Sequence, residues 1–435
     1  MMKAIKYTVL ITLTMAFAIV GSGLAGCKKE IVQAPNVVFS RPYVNQSFGF
    51  GDTIWVDASV SHPELQKVTL TLVNENYQPV EEVSNIAVNG NSFSFKAYIV
   101  VKNKAISSGK HFVRVQVLAQ NERFNNFVQV NVSELQRQRL AIYAAASDGF
   151  TQYLYRIENG SKTLSQSAFG DASAVATNSY FSGVFLAPAY LGNLKLYRTT
   201  ADSLIWQDQN NATNGARFMR GLYSSETDVF GFYADGRVAR FGINGGLKFV
   251  FQMPIGFQAI AMLKMENYLL VVGENGSQTS KALFYFNETT GALIRKIDLL
   301  GHAEHVALLP FDASTVAVLY NDANGKASWE GFQLNGIFIN LPALPNFTFT
   351  AAAYVADGQM ALGTDLGVYH FKYLPLNFLP ISQVVPTVLV YDELNSQLLV
   401  GAGSSLSLRS FPTMQIVWAH SFVAHLEGVA VLYNK

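Results

Sequence analysis

Cys27 is the only cysteine in this chain of 435 residues, so no intramolecular disulfide can form and its thiol stands alone. Seven histidines are present: His62, His111, His302, His305, His370, His420 and His425. The two nearest in sequence are His302 and His305, which enclose Glu304. A zinc helix needs two histidines four apart with a glutamate inside. Here the spacing is three, at what reads as the start of a strand, where positions three apart point to opposite faces. No metal site is expected from them. The chain has no Gly-x-Ser-x-Gly elbow, phosphate-binding glycine loop or dinucleotide fingerprint, so no catalytic residue and no cofactor is assigned. Asp148, Asp235, Glu274, Asp322 and Asp365 could form a glycosidase carboxylate pair only by meeting in space. Each stands at a turn, where aspartate is an ordinary residue. Trp206, Trp329 and Trp418 have faces on which a sugar's C–H surface could stack, but all three lie in alternating strands, where inward packing is the commoner fate. The ligand-binding residues stay unassigned.

The elements that must position these groups belong to a chain that is 50% hydrophobic and 14% charged, well below the usual quarter, which fits strands that bury one or both faces. The 31 Phe and 20 Tyr favour strands as well. A formal net charge of +1 leaves no global field to attract nucleic acid, and none is expected as a partner. The length suggests two or three domains.

Residues 1–27 read as an export segment. Lys3 and Lys6 supply the positive start, and Tyr7 to Val20 is an apolar run too short to span a bilayer comfortably. Gly21, Ser22 and Gly23 lead to Leu24-Ala25-Gly26-Cys27. The segment resembles the signal peptide and lipobox of bacterial lipoproteins. That resemblance implies cleavage before Cys27 and acylation of Cys27, with each buried methylene contributing about 0.8 kcal/mol to anchoring. Lys28 stands where an aspartate would resemble the inner-membrane retention signal, so the resemblance implies the outer membrane of a Gram-negative cell. Lys28-Lys29-Glu30 is partly like an acidic surface-export tag, which leaves the cell surface and the periplasmic face both open.

Residues 28–43, with Pro35 and Pro42, read as a tether. Residues 44–135 alternate with period two: Val68, Leu70 and Leu72, then Phe93 and Phe95, then Val113, Val115 and Val117. Strands about ten residues apart argue for an antiparallel sandwich. The pattern resembles the immunoglobulin-like or PKD-like domains that follow bacterial lipoprotein tethers, and its expected role is a spacer.

From residue 138 onward a unit recurs. An apolar strand leads to a tight turn at Asp148-Gly149, Leu191-Gly192, Asp235-Gly236, Asn275-Gly276, Asn324-Gly325, Asp365-Leu366-Gly367 and a weaker copy near Gly403. Asn-Gly and Asp-Gly supply the positive φ of hairpin turns. A second turn recurs at Asn159-Gly160, Asn244-Gly245, Thr290-Gly291 and Asn335-Gly336. The period is that of a propeller blade with four strands. His302 to Leu309 is similar to His425 to Leu432, three blades on, so the last strand reads as the innermost strand of a blade. The repeat region opens instead on a second-strand sequence, Leu140 to Ala145. The C-terminal strand should therefore complete the first blade and close the ring, removing exposed sheet edges. The stretch Phe286 to Gly291 resembles the turn of quinoprotein-type and YVTN-type blades within the WD40-like superfamily.

The expected fold is all-β: an Ig-like sandwich followed by a seven-bladed propeller, residues 138–435, closed by the C-terminal strand. The expected function is a lipid-anchored envelope binding or scaffold protein whose propeller recognises a glycan, a peptide or an outer-membrane partner. The competing expectation is an extracytoplasmic propeller hydrolase or lyase acting on polysaccharide. Three or more carboxylates or histidines at the channel mouth would favour the enzyme. A large exposed apolar patch on one side of the ring would favour a subunit of an envelope complex.

Overall fold

A computed structural model describes residues 33–435 apart from 214, 226, 243–244 and 277–279. Cys27, the rest of the export segment and residues 28–32 lie outside the described residues. The described residues form strands and turns with no helix. The chain divides into two compact units, Met1–Leu135 and Gln136–Lys435.

The first unit holds β1 (Asn36–Arg41), β2 (Gln46–Gly49), β3 (Thr53–Ser61), β4 (Leu65–Val73), β5 (Ser84–Ile86), β6 (Ser92–Val100), β7 (Gly109–Ala119) and β8 (Glu122–Ser133). They make two sheets, β1-β3-β6 and β2-β8-β7-β4-β5, with β2 parallel to β8. Period two puts Ile54, Val56 and Val60 on the inner face of one sheet. Leu70, Leu72, Val113 and Val115 face them from the other. The segment 36–41, read from sequence as tether, is a strand: Pro35 and Pro42 bracket it, and Val37 and Phe39 pack on the core.

In the second unit the described residues form seven four-stranded antiparallel sheets, the blades of a propeller. The innermost strands of blades 2 to 7 are Ala174–Asn178, Met219–Ser224, Phe257–Met265, Glu304–Pro310, Phe349–Ala356 and Val388–Asp392. Blade 1 takes its innermost strand from the chain's end: His425–Tyr433 pairs with Arg139–Ser147, with Val429 opposite Ala144 and Leu432 opposite Ala141. Each innermost strand touches the next until the circle closes. The second strand of every blade is packed on both faces, which explains uninterrupted apolar runs such as Leu269 to Val272. The outermost strands are the exposed ones, as in Leu293–Leu299. Each border between blades has its own core. Examples are Phe230, Phe251 and Phe284 between blades 3 and 4, and Tyr143, Val184 and Leu186 between blades 1 and 2.

The antiparallel order sorts the connections. Turns between second and third strands, and crossovers to the next blade, gather at one end of the ring, here the loop end. The remaining turns gather at the other, the turn end. Buried charges lock the turn end. Asp228, fully buried, meets Arg240 at 2.7 Å and Lys248 at 2.7 Å; Arg240 also reaches Glu288 across the blade 3–4 border at 3.2 Å, and Lys264 of blade 4 meets the same Glu288 at 2.7 Å. Burial alone would raise the Asp228 carboxyl, but the bonds from Arg240 and Lys248 prevail and hold it below the usual carboxylate range. At the closure, Asp392 accepts hydrogen bonds from Arg139 at 2.6 Å and the Tyr433 hydroxyl at 2.8 Å.

Candidate functional site

The acids singled out in the sequence mostly serve turns at the loop end. Asp148 accepts the N–H groups of Phe150 and Thr151 at 2.9 and 2.7 Å, and Asp322 those of Asn324 and Lys326 at 2.8 and 2.9 Å. These backbone bonds hold both carboxyls below the usual range. Asp235 accepts from Arg237 N–H at 3.0 Å and Asp365 from Thr348 N–H at 2.9 Å. Glu274 differs. It ends the second strand of blade 4 and pairs with Arg220 at 2.7 Å and Lys281 at 3.2 Å. Burial would raise its carboxyl, but the two cations outweigh that and lower it. A general acid needs the opposite shift.

His302 is buried, stacks on Tyr320 with centroids 3.3 Å apart and meets Glu330 at 3.2 Å. His305 has both ring nitrogens buried without a partner, and burial, aided by His302 and Lys281, pushes it down to about 3. It is neutral at physiological pH. His425, which shares the sequence slot of His302, is exposed and lies 3.3 Å from Glu427. Glu304 accepts from the Asn321 side chain at 2.9 Å. Glutamates and histidines thus do gather at the loop end of blades 4 and 5, but every one of these glutamates is committed to a neighbour. Among the described residues no three His, Cys, Asp or Glu are placed to hold a metal ion. Trp206 and Trp329 donate to the carbonyls of Gly245 and Pro342, and Trp418 packs into the blade 7–1 border.

Two features of the loop end were not singled out from sequence. The first is a rim of apolar side chains that turn geometry does not require. Phe150 and Phe169 stand in blade 1, Tyr190 in blade 2, Ile255 and Leu300 on the crossovers either side of blade 4, Leu366 in blade 6, and Val385 and Val423 on the crossovers either side of blade 7. They range from 44% exposed at Val385 to full exposure at Ile255. Apolar surface left in water is the common mark of an interaction face.

The second feature is a cleft of about 530 Å³ beside blade 2, lined by Phe169, Tyr190, Asn193, Lys195, Gln207 and Asn210 among others. One of its residues, though not the cleft, stands out in the sequence. Lys195 lies within Leu194-Lys195-Leu196-Tyr197, a third strand, and third strands in this ring are packed on both faces. A lysine there has no solvent face to occupy.

The fold has known counterparts. The chain is similar to the crystal structure of a putative 6-phosphogluconolactonase from Bacteroides fragilis, with a TM-score of 0.50 and 12% identity over 68% of this chain and 98% of that one. It is also similar to apo AztD from Citrobacter koseri, at a TM-score of 0.43, 9% identity, and 68% and 98% coverage. The Dos1 propeller matches at 0.42 and 14% identity, covering 58% of this chain and 72% of that one. No family model and no curated protein matches the sequence. At these identities the likeness concerns the fold alone: an all-β chain with a propeller.

Proposed function

We propose that this chain is a lipid-anchored binding protein of the bacterial envelope, held in the outer membrane through Cys27. On this reading the first unit is an Ig-like spacer, and the loop end of the ring recognises a protein partner of the envelope. The observation that carries the reading is the apolar rim. Hydrophobic tips on most blades at one end of a ring give a partner purchase from several directions, and burying each would contribute roughly 1.5–3 kcal/mol. At the loop end of blades 4 and 5 the polysaccharide hydrolase or lyase reading finds no free glutamate among the described residues singled out there, since Glu274, Glu304 and Glu330 each bond a neighbour.

The test is photo-crosslinking in cells carrying a benzophenone side chain at Ile255 or Leu300, or at Leu374 on the turn end, which is 83% exposed. A discrete protein adduct is expected from Ile255 and Leu300 but not Leu374, together with loss of membrane association in Cys27→Ser. Adducts of equal yield at both ends, or none at the loop end, would overturn the docking face. A Cys27→Ser protein still in the membrane fraction would overturn the anchor.

A further inference from the structure

Lys195 is only 8% exposed, yet its ammonium makes no hydrogen bond or ion pair with any described residue. It sits on the third strand of blade 2 (Leu194–Arg198), between Leu186 and Gln207, and shares a face with Tyr197, which packs against blade 1. Burial pulls the lysine below its ordinary value of 10.5 with no carboxylate opposing it. A cation on a buried strand with no counter-charge among the described residues costs stability, and its ammonium opens only onto the cleft.

The cleft in which Lys195 stands is built to keep its shape. The Asp171 carboxylate accepts three successive backbone N–H groups, from Ala189, Tyr190 and Leu191, at 2.8, 2.9 and 3.1 Å. Asn210 donates its side-chain amide to the Tyr190 carbonyl at 2.7 Å and its backbone N–H to Asn193 Oδ1 at 3.1 Å. Gly170 and Gly192 meet back to back at φ +130° and +94°. A Cβ on Gly170 would lie 2.5 Å from the Leu191 carbonyl oxygen, so nothing larger fits. What lines the cleft without a hydrogen-bond partner among the described residues is the Lys195 ammonium, the Asn193 Nδ2 and the Gln207 amide, beside the exposed rings of Phe169 and Tyr190, the latter with the Arg217 guanidinium 5.7 Å from its centroid.

We propose that this cleft binds an acidic saccharide, a sugar ring bearing one carboxylate, with the carboxylate on Lys195 and the ring's C–H face against Phe169 or Tyr190. One cation among the lining residues matches a monoanion. A phosphate group, with nearly two charges and three strong acceptors, is usually met by a cluster of arginines or lysines. Amide side chains suit sugar hydroxyls, and the volume falls within the usual range for small-ligand sites. The cleft shares Phe169 and Tyr190 with the rim, but the inference does not rest on the docking reading, because its test reads sugar binding at Lys195 and not crosslinking at Ile255 and Leu300.

The test is an NMR titration of the full chain with methyl glucuronide and methyl glucoside, which differ only in the carboxylate. The glucuronide is expected to bind roughly ten- to a hundred-fold more tightly, the worth of one charged hydrogen bond. Lys195→Met should bring it to the glucoside level with the melting transition intact. Tyr190→Ala, at a half-exposed site, should weaken both sugars by about three- to ten-fold. Equal affinity for the two sugars, unchanged glucuronide binding in Lys195→Met, stronger binding of inorganic phosphate than of glucuronide, or no binding of either sugar up to about 50 mM would overturn the proposal.

Discussion

Two buried lysines stand at the loop end of the ring, and the chain treats them in opposite ways. Lys281, on the third strand of blade 4, is tied to Glu274 at 3.2 Å and to the Ala303 carbonyl at 2.7 Å. Lys195, on the third strand of blade 2, bonds neither a carboxylate nor a carbonyl among the described residues. The first arrangement joins the blade 4–5 border and bonds each charge as it desolvates it. The second leaves the positive charge beside an open, stiff cleft. A ring that can neutralise a buried lysine in one blade, but leaves another free, separates a structural charge from a recognition charge.

Three changes break or sharpen that contrast. The largest effect comes from removing the wall of blade 1. Deleting residues 426–435 takes away most of the strand that completes this blade, exposes the edge of Arg139–Ser147 and opens the ring. Calorimetry should then show no cooperative transition for the second unit. A ring that still melts cooperatively would disprove closure by this strand. Next, Glu274→Ala leaves Lys281 buried without its carboxylate, and denaturant unfolding should show a loss of about 3 kcal/mol. The smallest effect is Lys195→Met, which removes an unpaired buried charge and should leave stability unchanged or raise it by up to about 1 kcal/mol. The sign follows from linkage. A lysine lowered on folding costs stability while both states are protonated, and the cost fades as pH climbs toward 10.5, so the gain from Lys195→Met should shrink there. Equal losses from Glu274→Ala and Lys195→Met would mean that Lys195 is a structural residue like Lys281.

Much of the fold was legible because its signals are local. The Asp-Gly and Asn-Gly turns mark blade hairpins wherever they recur, since the positive φ they supply is written into two adjacent residues. Closure was legible because His302 to Leu309 repeats as His425 to Leu432, and a repeat reports its slot whatever the surroundings. The same repeat could not report environment. His302 is buried against Glu330 and Tyr320, while His425 lies open, because what covers a blade comes from elsewhere in the chain. Glu274 was misread for the same reason. Beside Asn275-Gly276 it looks like a turn acid, but its partners, Arg220 and Lys281, come from another blade and another strand. The first strand was hidden by Pro35 and Pro42, which suggest a tether and in fact bracket a strand of six residues. The cleft needs the loop pinned by Asp171, the crossover carrying Asn210 and the third strand of blade 2, and no pairwise spacing announces that meeting.

The most direct measurement is the titration of lysine side chains by NMR in protein labelled at lysine Cε, with and without methyl glucuronide. Lys195 is expected to titrate below the ordinary lysine value, and to move back up when the sugar carboxylate supplies the missing counter-charge. A Lys195 that titrates at the ordinary value and ignores the sugar would contradict this expectation.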